Sequence, residues 1–492
     1  MGDKQLTTLG NEIYSDITKN EYLNELYANI LYNYSLKLFA LNKERKAVAI
    51  ADALRFADLL SKSPKDEHKV WAQEIVALLK ETEPENIAVD VYLTSVLSNT
   101  GNYQGLDTMK MKTVPNLLPR DIFDGFYIEF SKELVSVPAE PDKTFFRPQK
   151  QIYDSLKELY LSYSGPTSMG KSFIMRMFIK KQVQDGVQMN FALIVPTKAL
   201  INEVSSKVIN ELGSLLKDKN FRVVTSAGAL VLDDGEQHNF IFVLTPERLL
   251  YLMIRYENLC LDYLFIDEAH KISISDRRST FYYKDIDMLI QRAKTLHVIF
   301  SSPNIPNPEI YLSLIPDSFD IEKHGKKTLF SPVCQVKYLI DCVDCKTQLY
   351  NERSAELEYI DAAPPTQVFV NMLLAFGSKS QILVYFNNKD KAVQYAREYA
   401  ANLKSKNDSE LSALAKEIAN QVHKQYYLAE LITKGVAYHI GYLPATIRLQ
   451  IEKLYRDRKI TALFCTSTLV EGVNLPADNL FITTYSTSFP SL

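Results

Sequence analysis

The sequence predicts an α/β protein in which an all-α region precedes two successive parallel sheets. Three observations carry this. Residues 1–140 place apolar side chains at helical spacing, with few glycines and few strand signals. From Phe145 short apolar runs alternate with helical stretches, the pattern of a parallel sheet covered on both faces. A second series of such runs begins near Ile382. The expected division is 1–140 for the helical region, 141–335 for the first sheet domain and 336–492 for the second.

The helical region rests on "NELYANILYNYSLKLFALN", "RKAVAIADALRFADLLSKS" and "HKVWAQEIVALLKE". Pro115 and Pro119, followed by "VSVPAEPDK", predict a loop-rich exit. The first sheet is read from "LSYS", "FALIV", "RVVTS", "FIFVLT", "YLFID" and "LHVIFS". The second is read from "ILVYFNN", "GVAYHI", "ALFCTS" and "LFITTY". Between them, "SPVCQVKYLIDCVDC" through "LEYIDAAPPTQ" reads as a connector with a short strand of its own.

A chain of 492 residues, 46% apolar and 23% charged, is ordinary for a soluble protein of several domains. A net charge of −3 neither announces a nucleic-acid partner nor excludes one, since a local groove can be basic in an acidic protein. The five cysteines (Cys260, Cys334, Cys342, Cys345, Cys465) include one CxxC without a second ligand pair, so free thiols in a reducing compartment are expected. The polar N-terminus and the lack of an apolar run of membrane-spanning length point to a cytoplasmic protein with no membrane partner.

The chemistry starts at "GPTSMGKS". Gly165, Gly170, Lys171 and Ser172 satisfy G-x-x-x-x-G-K-[ST], between an apolar run and a helical stretch. Glycines let the backbone turn its N–H groups toward phosphate oxygens, and the following helix directs its positive end at the same anion. Lys171 then reaches the outer phosphates, and the Ser172 hydroxyl holds Mg²⁺. In "DYLFIDEAHKI", Asp267 and Glu268 end an apolar strand. A carboxylate there can reach a metal at the neighbouring loop, so Asp267 is the second candidate for Mg²⁺. Glu268 is the candidate for orienting or deprotonating an attacking water. Lys171, Asp267 and Glu268 are the expected catalytic set.

Together these residues resemble the DEAD/DEAH-box helicases of superfamily 2. "FFRPQKQIYDSL" is similar to the family's adenine-recognising segment, with Gln149 in that role. The phosphate loop then implies ATP contacts from Thr167, Ser168, Gly170, Lys171 and Ser172. "LIVPTKALINE" and "LTPERLL" resemble the family's nucleic-acid segments, implying contacts from Pro196, Thr197, Thr245, Pro246 and Arg248. The loops following strand ends suit phosphate oxygens without reading bases, and they serve equally as ordinary helix caps. His270, Ser302 and Asn304 fall at positions that couple hydrolysis to motion. Ser302-Pro303-Asn304 departs from the family's Ser-Ala-Thr. "ILVYFNNKDKAVQYA" resembles the opening of the family's second domain. "GVAYHIGYLPATIRLQIEKLYRDRKITALFCTSTLVEGVNLPA" resembles the Ski-like branch, implying strand contacts from Thr466 and His439 and nucleotide contacts from Glu471 and Gly472. For His439 a packed core histidine is the competing reading.

The resemblance implies two RecA-like domains, ATP and Mg²⁺ as cofactors, and DNA or RNA gripped mainly by its backbone. The family's closing arginine motif is not found after Ala477, so the second domain is expected to be incomplete and hydrolysis by this chain alone weak. "ALRFADLLSKSPKDEHKVWAQEIVALL" resembles the leader of bacterial antiphage defence helicases of the Hachiman type, which implies a nuclease partner. The leading expectation is an ATP-dependent nucleic-acid helicase or translocase, in antiphage defence or genome maintenance. The alternatives are an ATP-gated nucleic-acid sensor that controls a partner nuclease without unwinding, and a phosphate-loop ATPase unrelated to nucleic acid.

Overall fold

The protein is described by a computed structural model covering residues 9–112, 122–226, 238–273, 278–292, 295–315, 324–361, 369–470 and 475–484. The chain divides into two compact units. One is Met1–Lys337 with Tyr350–Glu356, and the other is Tyr338–Leu349 with Leu357–Leu492.

The first unit opens with helices, among them Glu21–Leu38, Ile50–Ser61, Asp66–Thr82 and Ile87–Thr100. Their apolar faces bury Leu26, Ile30, Leu54, Trp71, Ile75 and Val96. Local chemistry sets the ends. Asn86 accepts from the Ala88 N–H to start one helix, and Gly101 closes it in the left-handed region (φ 72). In the middle of the helix Asp66–Thr82, buried Glu74 accepts from Arg353 Nη2 (2.9 Å) and from the Tyr27 hydroxyl (3.1 Å). The Arg353 guanidinium also lies 5.2 Å from the Trp71 ring centre. This cluster fixes the segment Tyr350–Glu356 within the first unit.

A small antiparallel hairpin follows, β1 (Ser136–Val137) with β2 (Glu140–Thr144), where the sequence predicts only loop. Pro141 is tolerated there because an isolated two-strand ribbon leaves one side of each strand without a ladder to complete.

The first sheet has seven strands: β3 (Tyr160–Ser164), β4 (Phe191–Ile194), β5 (Phe221–Val224), β6 (Asn239–Leu244), β7 (Tyr263–Ile266), β8 (His297–Ser302) and β9 (Gly325–Lys327). Their order is β5-β6-β4-β7-β8-β3-β9, with every pair parallel. Both faces are buried, as continuous apolar strands require. Phe191 and Leu193 join Ile174 and Phe178 on one side. Ala192 and Ile194 join Leu249 and Ile286 on the other. β9 carries no apolar signal ("GKK") and is not anticipated by the sequence pattern.

After β10 (Lys337–Asp341), β11 (Lys346–Asn351) and β12 (Glu356–Asp361), which form a three-stranded sheet, the second parallel sheet begins. It comprises β13 (Ile382–Tyr385), β14 (Val436–His439), β15 (Ala462–Cys465) and β16 (Asn479–Ile482), in the order β14-β15-β13-β16. Its core includes Val384, Tyr399, Ile418, Tyr438 and Phe464. Asn388 and Asp408 each cap a helix by accepting two backbone N–H bonds. The expected α/β class is therefore what the structure shows: two parallel sheets, in keeping with two RecA-like domains, behind an all-α region. Among the described residues no helix is long and apolar enough to cross a membrane.

One buried group is costly. Asp285, on the helix Ser279–Arg292, is 2% exposed, and neither carboxyl oxygen has a hydrogen-bond partner among the described residues. Burial, with the Glu247 charge as a smaller contribution, pushes its pKa from 3.8 up to about 9. The folded chain keeps this proton while the unfolded chain loses it near pH 4, so this group's contribution to stability falls as pH rises from 3.8 to about 9. Asp285→Asn removes that dependence. In denaturant unfolding, the variant should gain stability relative to the parent across this window; parallel pH profiles would refute the assignment.

Candidate functional site

Because the first sheet is all parallel, the loops after β3, β4, β6, β7 and β8 leave from one edge. Ligands of open α/β sheets bind at this edge. β3 runs into Gly165, a short turn Thr167–Met169, and then Gly170 in the left-handed region (φ 73), which starts the helix Lys171–Gln184. Among the described residues no side chain caps this helix; the Phe173 N–H turns back to the Gly170 carbonyl (3.0 Å), which leaves the N–H groups of Lys171 and Ser172 available to an anion. Thr167 and Ser168 are exposed on the turn. Gln149 is buried beneath it and ties two places together: its Oε1 accepts from the Phe146 N–H (2.8 Å), and its Nε2 donates to the Met169 carbonyl (2.5 Å).

Lys171 folds back on its own loop, donating to the carbonyls of Gly165 (3.0 Å) and Pro166 (3.2 Å). Burial pulls its ammonium below the usual lysine range, while Glu268 and Asp267 act in the opposite sense. Ser172 Oγ donates to Asp267 Oδ2 at 2.6 Å. Asp267 Oδ1 accepts from the Glu268 N–H (3.0 Å) and from Ser301 Oγ (3.2 Å). The structure therefore brings Lys171, Ser172, Asp267 and Glu268 to one place.

Glu268 sits in the left-handed region (φ 56), a strained conformation for this residue. Burial raises its pKa, Asp267 adds to the rise, and Lys171 and Lys271 oppose it. His270 Nδ1 lies 3.3 Å from Glu268 Oε2. Burial, helped by Lys271 and Lys171, holds the imidazole below its usual range, so it stands neutral beside the carboxylate.

The sequence singles out Ser302, yet its neighbour Ser301 makes the contact to Asp267. Alternation along β8 explains this, since successive side chains point to opposite faces. The register that pairs Ile266 with Phe300 brings Ser301 alongside Asp267. Ser302 instead makes a long 3.5 Å contact to the Tyr163 carbonyl, and Asn304 is exposed. The Ser302-Pro303-Asn304 turn is anchored by the Ser164 hydroxyl, which donates to the carbonyls of Pro303 and Ile305 (both 3.1 Å) and accepts from the Ile305 N–H (2.9 Å).

Pro196–Thr197 and Thr245–Pro246 follow β4 and β6, which pair directly at Ile194 and Leu244. Thr197 caps its helix by accepting from the Leu200 N–H (3.3 Å). Thr245 is buried, and Arg248 donates to the Thr225 carbonyl (2.6 Å). In the second unit His439 and Thr466 follow one another across β14 and β15, with the Thr466 N–H donating to the His439 carbonyl (3.3 Å). The His439 ring is 1% exposed and lies 3.2 Å from buried Glu452, which places it in the core rather than toward solvent. Glu471 and Gly472 lie outside the described residues. A cavity of about 460 Å³, lined in part by Asn190, Phe240, Arg255 and Tyr256, opens at the opposite ends of the strands. It shares none of these residues.

A parallel sheet bearing a phosphate loop and an acidic turn at one edge defines a nucleotide-site architecture. Residues 147–307 match the DEAD/DEAH box helicase family. Among curated relatives, it is 24% identical over 394 residues to anti-bacteriophage protein B of Escherichia coli K12, covering 79% of this chain and 48% of that protein. It is 25% identical over 324 residues to the ATP-dependent DNA helicase Hel308 of Thermoplasma acidophilum, covering 64% and 43%. It is also 23% identical over 412 residues to the U5 small nuclear ribonucleoprotein 200 kDa helicase of Caenorhabditis elegans, covering 75% and 18%. The chain spans about half the length of the first two.

Gly170→Ala should destabilise the chain by about 1–2 kcal/mol, the cost of a left-handed residue carrying a Cβ. Its new methyl would also stand 3.1 Å from Gln149 Nε2. Urea unfolding reads this directly, and an unchanged midpoint would show that the loop relaxes out of the left-handed turn.

Proposed function

We propose that this chain is the ATP-binding part of a superfamily 2 nucleic-acid helicase or translocase of the Ski-like branch, acting in bacterial antiphage defence or genome maintenance. The observation that carries the reading is the Ser172–Asp267 contact, which joins the phosphate loop to the acidic turn within the helicase-matched stretch. The names of the relatives support nucleic acid as the partner and defence as a setting.

The donor set suits ATP with Mg²⁺: an uncapped helix start for phosphate, and a hydroxyl beside a carboxylate for a hard divalent cation. When bound, ATP–Mg²⁺ supplies the phosphoryl group and the charge that activates it. Lys171 would release the Gly165 and Pro166 carbonyls and turn its ammonium to phosphate. Ser172 and Asp267 would hold the cation. Glu268 would take the proton of the attacking water, with its strained turn setting its direction. Gln149 would serve adenine after releasing the Met169 carbonyl, and Thr167, Ser168 and Gly170 would line the phosphates. Pro196, Thr197, Thr245, Pro246, Arg248 and Thr466 meet the backbone of DNA, or of RNA. Such contacts carry little sequence preference. A cytoplasmic location and a partner nuclease, as in the Hachiman type, complete the proposal.

A second reading is favoured by the Ser302-Pro303-Asn304 turn. Proline and three bonds to Ser164 stiffen the segment that would couple hydrolysis to motion. On this reading the chain is an ATP-gated sensor that engages nucleic acid without separating strands. ATP-dependent binding of single-stranded DNA, duplex DNA or RNA without strand separation would select it.

Lys171→Ala should weaken ATP binding at least about tenfold, the loss of one charged hydrogen bond. Unchanged affinity in equilibrium dialysis would defeat the nucleotide reading. Glu268→Gln should keep ATP binding and lower nucleic-acid-stimulated turnover by about 10²–10⁴-fold. In the parent, the acid limb of the pH–rate profile should lie above the ordinary glutamate range, because burial and Asp267 raise this carboxyl and the base is active only when ionised. A limb at the ordinary glutamate pKa would count against Glu268 as the base.

A further inference from the structure

Beyond the nucleotide site itself, the segment Thr328–Ser331 lies along the phosphate loop like a strap. It leaves β9 beside β3, its first N–H donating to the Ser164 carbonyl (3.0 Å). The Thr328 methyl is so close to the loop that a Cβ on Gly165 would stand 3.0 Å from it. At the other end Ser331 Oγ lies 3.2 Å from Ser168 Oγ, on the loop's exposed turn. In between, the buried Phe330 ring packs 5.6 Å from Phe146, the residue whose N–H binds Gln149. The strap thus touches the loop at Gly165 and Ser168 and touches the support of Gln149.

The strap is held from the helical region. Asp66, the first residue of the helix Asp66–Thr82, takes two of its donors on a single oxygen. Asp66 Oδ2 accepts from Thr328 Oγ1 (2.6 Å) and from the Leu329 N–H (3.1 Å). Thr328 Oγ1 also accepts from the Phe330 N–H (3.1 Å) and so forms the middle of a relay. A carboxylate accepting two bonds is a strong anchor, because charge-assisted hydrogen bonds are roughly twice as strong as neutral ones.

Resting on the nucleotide reading above, we infer that Asp66 and Thr328 are positioning residues through which the helical region sets the affinity of the phosphate loop for ATP. The physical reason is preorganisation. Thr328 packs against the Cα of Gly165, the residue whose carbonyl Lys171 now holds and must release. A strap fixed by Asp66 keeps the loop open around that point, so less ordering remains to be done on binding. A strap without its anchor leaves that ordering to the ligand. Because linkage is reciprocal, bound nucleotide also tightens the strap on Asp66. The first turn of this helix then reports the state of the site to whatever contacts the helical region.

The test is a titration of the chain with a fluorescent ATP analogue and Mg²⁺, well below the melting temperature. Asp66→Ala and Thr328→Val should each weaken binding about tenfold, the equivalent of one charge-assisted bond. The double variant should be no weaker than either single one, since both break the same relay. Asp66→Asn, which keeps an acceptor oxygen without the charge, should fall between the parent and Asp66→Ala, a graded result that general loosening of the fold would not give. Parent-like affinity in both single variants, or additive losses, overturns the inference while leaving the nucleotide reading intact. Failure of the parent chain itself to bind overturns both. If Asp66→Ala does not melt cooperatively, the near-isosteric Thr328→Val decides.

Discussion

The Asp267 carboxylate is the constraint on which the site depends. It is 7% exposed, and a buried carboxylate is tolerated only if its oxygens are bonded. Its donors come from three places: Ser172 after the phosphate loop, Ser301 on β8, and the Glu268 backbone one residue on. Each arrives because β7 is held in register, with the Asp267 N–H donating to the Ile194 carbonyl (2.9 Å) and Ile266 facing Phe300. A slip of one residue would turn the carboxylate to the other face of the sheet. The register of the first sheet is therefore a chemical requirement as well as a packing solution.

Around this anchor, the charges of the site are set to exchange partners cheaply. Lys171 is bonded to two neutral carbonyls rather than to the nearby acids. Replacing a neutral acceptor with an anion adds charge–charge attraction to bonds the ammonium already makes, so the exchange runs downhill. Among the described residues no lysine or arginine is bonded to Glu268, and burial and Asp267 both raise its affinity for a proton. The neutral imidazole of His270 lies 3.3 Å from it and brings no charge to neutralise it.

What the sequence made legible was whatever is encoded locally. Glycine spacing located the phosphate loop, and continuous apolar runs located the core strands from β3 to β8 and from β13 to β16. β9 escaped because "GKK" has no apolar residue, and its strand character comes from pairing with β3 alone. Ser301 escaped because a motif names a neighbourhood while the strand's alternation decides which serine faces the acid. Asp66 and Arg353 escaped for a deeper reason: their partners are 262 and 279 residues away, and nothing near either position records them. His439, open between two environments on sequence grounds, is settled locally by buried Glu452 thirteen residues on, along the following helix.

The Arg353 cluster changes what the first unit is made of. Tyr350–Glu356 belongs to it, although Tyr338–Leu349 before it and Leu357 after it belong to the second. The first unit is therefore assembled from two separate stretches of polypeptide. A fragment cut at residue 335 would contain every strand of the seven-stranded sheet and still lack the arginine that neutralises Glu74. It would leave Glu74 and the Tyr27 hydroxyl half-satisfied beside an uncovered Trp71 face. On the ribosome the same logic applies: this carboxylate waits for its cation until the chain has passed Arg353, so the helical region reaches its final packing only after the strands of the first sheet have been made.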